Sequence, residues 1–231
     1  MPTETWVKCP ADKYKDGYNN TSLRSDVAVK YNALYQAVHD LGGVITSSGG
    51  RRYLDTVANP ASQSKTSLHY VGRAFDMSIS SGMNNPTGPD PFVIMPTTDN
   101  KWVIWCKSKL YPNDLKPKCI AQGIEGGSRI VMGAYMVGTK MRVMSYTGIM
   151  FNFTSLAKKF GFDGISARQS FTKNGNILGA EWWHFQDTSG LVADVTTFGD
   201  ELLRVSTAKE VANFAYWDEV KDAVWGVDWR G

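Results

Sequence analysis

Two short stretches of the sequence carry residues that could together hold a metal ion. His69 and Asp76 lie in the first stretch, and Glu181 and His184 lie in the second, about a hundred residues later. Two imidazoles and one carboxylate suit a catalytic zinc site, which leaves a fourth position open for water. The chain has only three histidines, and two of them fall in these stretches. We therefore predict one zinc ion per chain, bound by His69, Asp76 and His184.

Glu181 is a second carboxylate in these stretches and is not one of the three predicted ligands. If the chain around His184 is a strand, Glu181 precedes it and lies over the metal from the entering loop. A carboxylate there can take a proton from the attacking water and later give it to a leaving amine. A bound zinc ion would lower the pKa of water from ~15.7 toward ~7 and polarise the scissile carbonyl. This combination indicates hydrolysis of an amide, although each of these residues taken alone is more often structural.

The segments before the first stretch should position it. Ser25-Asp26 begins a predicted helix, apolar residues recur at helical spacing up to Leu41, and Gly42-Gly43 ends it. The β-branched run 44–48 predicts a strand. Gly49-Gly50 then allows a sharp turn, and strand ends that feed loops are where sites collect.

The first stretch itself leads into a predicted strand. From Ala74 the residues alternate between polar and apolar, which places Asp76 on a polar face and Phe75 on a buried one. Gly72 allows a close approach of the chain between His69 and Asp76. If Asp76 and His184 lie on neighbouring strands, both can reach one ion.

The rest of the sequence predicts a single domain, residues 1–231, of the α+β class: a small, mostly antiparallel sheet carrying a zinc cleft, flanked by helices. Residues 1–20 are predicted to be an N-terminal arm. Residues 84–147 are predicted to be an insertion with a small β element beside the cleft, and 200–231 a C-terminal helical extension. Within these, we predict loops over 55–66, 80–100, 110–127 and 162–179, a hairpin turn at 138–140, and helices at 154–160 and 200–223.

Composition excludes several classes of function. With 42% apolar and 20% charged residues the chain is of ordinary globular type, and a net charge of +3 without a basic run does not indicate nucleic acid. No run approaches the ~20 apolar residues of a membrane span. The N-terminus lacks a signal-peptide pattern, so we expect synthesis in a cytoplasm. Oligomeric state is not indicated. We expect free, buried thiols at Cys9, Cys106 and Cys119, with a Cys106–Cys119 bridge as the alternative.

Taken jointly, the two stretches resemble a family of zinc peptidases. That family includes D-alanyl-D-alanine carboxypeptidases and dipeptidases, phage endolysin peptidases and, more distantly, the hedgehog signalling domain. The resemblance covers roughly residues 25–80 and 150–187. The residues that carry it are Ser67-x-His69-x-x-Gly72-x-Ala74-x-Asp76, Glu181-x-Trp183-His184, Ser48-Gly49-Gly50-Arg51 and Phe160-Gly161-Phe162.

The resemblance implies a role for each matched residue. His69, Asp76 and His184 would be the zinc ligands and Glu181 the catalytic base. Arg51, which alone would read as solvated surface charge, would grip the substrate's carboxylate or its polarised carbonyl. Ser67 would add a hydroxyl to the substrate site. Two departures concern the pocket: Trp182 stands where this branch commonly has proline, and the spacer between the two stretches is longer.

The resemblance further implies a hydrolase of peptidoglycan stem peptides, acting at D-amino acids as a carboxypeptidase or endopeptidase. Without a signal peptide, a phage lysis enzyme or a virion-borne component would fit that action on the cell wall. Two alternatives stay open. One is a cytoplasmic D-alanyl-D-alanine dipeptidase, which a narrow cleft would favour. The other is a zinc-containing binding or structural module without turnover, which would have no need of Glu181.

Overall fold

The structure is a computed structural model that describes residues 1–55, 64–84 and 88–229. It confirms the α+β class, with small antiparallel sheets flanked by helices. In chain order the elements are β1 (Trp6–Pro10), β2 (Asn20–Arg24), α1 (Ser25–Asp40), β3 (Ala74–Asp76), β4 (Phe92–Pro96), β5 (Trp102–Lys107), α2 (Pro112–Ala121), β6 (Gly126–Val137), β7 (Lys140–Asn152), α3 (Phe153–Lys159), β8 (Phe162–Gly164), α4 (Gln169–Asn174), β9 (His184–Asp187), α5 (Phe198–Leu203), α6 (Ala208–Val211) and α7 (Trp217–Val220).

The sheet that matters most for the candidate site has three strands in the order β3-β9-β8, all antiparallel. Phe75 of β3 stacks on Phe185 of β9, with ring centroids 5.6 Å apart, and Tyr31 of α1 meets Phe75 edge-on at 4.9 Å. These rings belong to the main hydrophobic core. Because side chains alternate along a strand, the residues flanking Phe75 and Phe185 lie on the opposite, polar face.

The predicted inserted β element is a four-stranded closed barrel, β4-β5-β7-β6. The long hairpin β6–β7 turns at Gly138, whose φ of 60° confirms the predicted turn. Ile94 opposite Ala134 joins β4 to β6 and closes the barrel. Phe92 packs into the main core, whereas the next residue, Val93, belongs to a separate cluster on the opposite face.

Several segments differ from the prediction. Helix α2 lies within the predicted loop 110–127, and Pro112 occupies its first turn, where a missing N–H costs nothing. Strand β8 and helix α4 lie within the predicted loop 162–179. The predicted strand at 44–48 is wrong: within the described part of the chain this run makes only isolated bridges, from Thr46 to Asp12 and from Ser47 to Tyr18, because those partners lie outside any strand. The predicted loops 55–66 and 80–100 lie partly outside the described residues, and the second contains β4.

Both ends of the chain are more ordered than the sequence predicted. Part of the N-terminal arm is β1, which pairs with β2 along its whole length. The single helix predicted over 200–223 is wrong: the chain forms three short helices, because Thr207 and Glu210 make a capping box that starts a new helix at Ala208. These helices surround a second hydrophobic core in which Trp229 is fully buried.

A buried ionic network attaches the C-terminal extension to the sheet. Glu201 of α5 accepts a hydrogen bond from Nη1 of Arg24 at 2.5 Å and from Nε of Arg73 at 2.6 Å. All three residues are at most 5% exposed. Arg73 also donates from Nη1 to the carbonyl oxygens of Asp187 and Ser189, at 3.1 and 3.0 Å. The extension is therefore bonded to the stretch that contains His69 and Asp76.

The cysteines are free and buried, as predicted, and the alternative Cys106–Cys119 bridge is not formed. Burial raises the pKa of the Cys106 thiol to about 12 and those of Cys9 and Cys119 to about 11. Such thiols are poor nucleophiles at neutral pH. Within the described part of the chain, no helix has the length and apolar character needed to cross a membrane.

Candidate metal centre

The structure brings His69, Asp76 and His184 together in one cluster. Nε2 of His69 lies 3.2 Å from Nδ1 of His184. The Asp76 carboxylate reaches both rings, with Oδ2 3.2 Å from His69 Nε2 and Oδ1 3.0 Å from His184 Nδ1. One ligand atom from each residue lies within 4.8 Å of the others. This spacing is close enough for all three residues to contact one ion.

Hydrogen bonds on the far side of each ring set which nitrogen faces the cluster. His69 Nδ1 lies 2.6 Å from the carbonyl oxygen of Gly50, and His184 Nε2 lies 3.1 Å from Oε1 of Gln186. When those outer nitrogens donate, the inner nitrogens carry lone pairs. Two lone pairs and a carboxylate then face one another, an arrangement that a cation relieves. Ring N–H groups bonded to carbonyl oxygens are the usual support of metal-bound histidines.

The sheet register explains how residues so far apart in sequence meet. Asp76 lies directly opposite His184 in the β3–β9 pair. Gly49 pairs with Asp76 on the other side of β3, since Asp76 N donates to the Gly49 carbonyl at 2.8 Å. The next residue, Gly50, therefore presents its carbonyl to His69. Gly72 has a φ of 71°, and its Cα is so close to Arg24 that a Cβ would lie 2.7 Å from the Arg24 side chain.

Glu181 stands at the entrance to β9, as predicted. Its backbone carbonyl accepts a hydrogen bond from His184 N at 3.1 Å, so residues 181–184 form a tight turn. Its φ is 58°, a left-handed conformation that glutamate rarely adopts. Strain of this kind persists only where the surroundings hold it and is frequent at functional sites. The Glu181 side chain is buried and forms an ion pair between its Oε1 and Nε of Arg168.

The charged groups of the cluster perturb one another. Burial alone would raise the pKa of the Asp76 carboxyl, but the charge of His69 and hydrogen bonds from both histidines outweigh it, so that the pKa lies well below its usual range. Burial alone would lower the pKa of His184, but the hydrogen bond and charge of Asp76 outweigh this and raise it. These shifts belong to protonated rings whose inner nitrogens donate to Asp76. A metal ion would displace those ring protons, because a histidine ligand must be neutral and a carboxylate ligand ionised.

A cavity of about 180 Å³ opens beside the cluster. Ser67, predicted to contact the substrate, lines it, and its Oγ accepts a hydrogen bond from His69 N at 3.4 Å. Among the described residues, the cavity wall also includes Arg52 and Arg168. Nη1 of Arg52 is buried and has no hydrogen-bond partner within the described part of the chain.

Arg51 is the one predicted site residue that the structure does not bring to this cavity. Its guanidinium lies 4.5 Å from the ring centroid of Trp6 and 4.6 Å from that of Tyr53. Its neighbour Arg52 faces the cavity instead, with its guanidinium 5.3 Å from the ring centroid of Tyr70. The two neighbouring arginines thus lie in different surroundings, and Arg52 is the one that lines the cavity.

Sequence reasoning missed three residues that belong to the site. Gln186 follows His184 by two positions on the same strand face, a period-two signal that could have identified it. Arg52 is adjacent to Arg51, but no motif or spacing in the sequence distinguished it as a site residue. Arg168 precedes α4 and reaches Glu181 from a segment that matched no motif.

Comparison of the chain with protein-family models, with curated proteins and with solved structures gave no match.

Proposed function

We propose that this protein is a zinc-dependent peptidase that hydrolyses an amide bond in the stem peptides of peptidoglycan. The observation that carries the proposal is the pair of inward-facing histidine nitrogens and the Asp76 carboxylate, with Glu181 in the wall of the same cavity. The motif pair's resemblance to the zinc peptidases supplies the substrate class. Peptidases of this kind need three protein ligands, an open position and a base. His69, Asp76 and His184 would be the ligands and Glu181 the base.

The ligand set fits zinc by the chemistry of its donors. Two imidazole nitrogens and one carboxylate are borderline ligands that suit zinc better than magnesium or calcium, which prefer oxygen. When bound, zinc would supply Lewis acidity toward a carbonyl and lower the pKa of water. His69 and His184 would hold it with fixed rings, because Gly50 and Gln186 accept their outer N–H groups.

Glu181 would act on the proton of the attacking water. Oε1 is held by Arg168, and Oε2 has no hydrogen-bond partner among the described residues, so Oε2 is the oxygen free to accept that proton. The same oxygen can then deliver it to the leaving amine. The turn formed by the His184 N to Glu181 O hydrogen bond fixes the base relative to the ligand.

Arg52 and Arg168 would recognise a substrate carboxylate. The buried Nη1 of Arg52 is a donor without an acceptor among the described residues, and a guanidinium matches a carboxylate better than any other side chain. Arg168 is partly exposed at 35% and bonds Glu181 through Nε, which leaves its terminal nitrogens for a ligand. We therefore assign the role that the family resemblance gives to Arg51 to these two arginines.

The experiment that tests the proposal compares wild-type protein with Glu181→Gln on purified peptidoglycan fragments, by mass spectrometry and with zinc content measured on both. We expect a cut at an amide bond by the wild type. We expect the variant to retain zinc and to lose turnover by roughly 10²–10⁴-fold, the usual contribution of a general base. Full zinc content with no product from any fragment would refute the peptidase and favour the binding module.

A further inference from the structure

A second cavity, of about 470 Å³, lies between the barrel and helix α4. Its walls come from the β4–β5 turn, the β6–β7 turn and residues 167–175. Gly175 packs so closely on the β6–β7 turn that a Cβ would lie 1.8 Å from the carbonyl oxygen of Thr139. Three segments that are distant in sequence therefore share one firmly packed rim.

The rim of this cavity is positively charged. Lys101, Lys140 and Lys173 line it, and no carboxylate does so among the described lining residues. Among the described residues, Lys101 pairs with Asp99, whose Oδ2 lies 3.6 Å from its Nζ. Both side chains of that pair are more than half exposed, so solvent leaves it weak. The remaining polar lining groups are threonine hydroxyls and asparagine amides, which can bind sugar or phosphate oxygens.

The floor of the cavity is aromatic and bonded to the candidate catalytic segment. Trp102 and Phe171 meet edge-on, with ring centroids 5.7 Å apart. The Trp102 indole donates from Nε1 to the carbonyl oxygen of Ala180, at 2.6 Å, and Ala180 directly precedes Glu181. An apolar floor with a polar rim is the usual form of a small-molecule or sugar site.

A smaller cavity of about 170 Å³ has walls in common with both sites. It shares Lys101 and Trp102 with the second cavity, and Ile165 and Glu181 with the cavity at the metal centre. The three cavities are thus neighbours, from the His69–Asp76–His184 cluster to the β6–β7 turn, and the middle one is lined by Asp163 as well as Lys158. A free dipeptide would use only the first of them, whereas a polymer would use all three.

We propose that the cavity between the barrel and α4 binds an anionic segment of the same polymer on which the metal centre acts. The ligand class is a polysaccharide chain that carries carboxylate or phosphate groups. The proposal rests on the proposed function for the identity of the polymer. It gives the barrel a role in holding the substrate, and it favours an extended wall substrate over a free dipeptide.

The test measures binding to insoluble cell-wall sacculi by sedimentation, at fixed ionic strength. All proteins carry Glu181→Gln, so that no substrate is consumed. One variant adds Lys101→Gln, Lys140→Gln and Lys173→Gln. The control adds Lys8→Gln, Lys109→Gln and Lys116→Gln, which are exposed lysines that line none of the three cavities. Both triple variants lose three positive charges, and thermal unfolding checks that both are folded.

We expect the cavity variant to bind sacculi roughly tenfold more weakly than the control, equivalent to about 1.4 kcal/mol. Sacculi stripped of phosphate polymers by mild acid distinguish the two sources of anion. A difference that persists on them supports carboxylate, and one that disappears supports phosphate. Equal binding by the two triple variants would overturn the proposal, as would preferential binding of double-stranded DNA over sacculi. Absence of released fragments from the wild type would instead refute the hydrolase, because this assay needs no turnover.

Discussion

Gln186 tests the metal centre without altering any of the three ligands. Its Oε1 lies 3.1 Å from Nε2 of His184, and both residues are 6% exposed. Zinc on Nδ1 requires that the His184 proton stay on Nε2, so the bound state depends on this acceptor. We expect Gln186→Met, which keeps an unbranched side chain but removes the acceptor, to weaken zinc binding by roughly 10–100-fold.

The magnitude follows from the burial of the two groups. Without Gln186 the His184 N–H would be a buried donor with no acceptor, which costs about 1–3 kcal/mol. That cost applies to the zinc-bound form, in which the other tautomer is excluded, and it corresponds to roughly 5–150-fold in affinity. It is small against the ~5–15 kcal/mol that stabilises a typical domain, so the fold should persist.

The assay is competition for zinc against a chromogenic chelator at one pH. Gln186→Glu is the matched control, because a carboxylate keeps the acceptor and should bind zinc at least as tightly as the wild type. Thermal unfolding of the metal-free proteins separates loss of affinity from loss of fold. If Gln186→Met held zinc as tightly as the wild type, the inference that the outer hydrogen bonds set the histidine tautomers would be wrong.

Three further predictions concern other parts of the chain. Arg52→Ala should raise KM for a peptide with a free carboxylate by about tenfold, the effect of ~1.4 kcal/mol of lost binding. Arg51→Ala should change KM less. Steady-state kinetics would show the reverse order if Arg51 binds the substrate. Glu201→Gln should lower the free energy of unfolding by about 3 kcal/mol in a denaturant titration. It removes the carboxylate that Arg73 and Arg24 share, and although Arg24 keeps its pair with Asp26, the other carboxylate near Arg73, that of Asp187, lies 4.0 Å away. Burial raises the pKa of Glu201, but the hydrogen bonds from Arg73 and Arg24 outweigh this and lower it below 4.5. The stabilisation by the Glu201 carboxylate is therefore complete above pH ~4.5 and is lost as the pH falls through its folded-state pKa. A difference in unfolding free energy between the wild type and Glu201→Gln that did not shrink in acid would contradict this. Cys106, whose pKa is about 12, should not react with a thiol reagent at pH 8 until the protein is unfolded, and rapid labelling of the native protein would disprove its burial.

The three residues of the cluster could be predicted from sequence because histidine is rare in this chain and strand alternation positions Asp76. Alternation from Ala74 put Asp76 on a polar face, and the structure confirms that face. The sequence did not determine that Asp76 would lie directly opposite His184, because strand register depends on contacts between segments. The proposed roles of His69 and His184 as zinc ligands stay predictions, although their geometry now supports them.

The cationic residues of the site show where local rules end. After Gly49-Gly50 the direction of each side chain depends on how the turn packs, so the sequence alone could not decide between Arg51 and Arg52. Arg168 approaches Glu181 through tertiary structure only. Its backbone N bonds the Gly179 carbonyl at 2.8 Å, which fixes this approach, and no spacing in the sequence encodes it.

Among the helices and strands, those marked by local sequence patterns could be predicted, and those that depend on pairing between distant segments could not. Helix α1 was predictable because its apolar stripe is long and its start and stop are marked. Two wrong predictions could have been avoided from the sequence. Pro112 marks the first turn of α2, and the capping pair Thr207 and Glu210 marks the start of α6. No sequence signal predicted that the barrel would close, since closure depends on the pairing of Ile94 with Ala134, forty residues apart in the chain.

Arg73 couples the stability of the candidate metal centre to that of the C-terminal helices. It lies between His69 and Asp76 in sequence, and its guanidinium joins Glu201 to the end of β9. The metal stretch and the C-terminal helices should therefore unfold as one cooperative unit. An ion present at 100 times its dissociation constant adds about 2.7 kcal/mol to the stability of whatever unfolds with it. The supply of zinc would then set how long the C-terminal helices, distant from the ion, resist proteases.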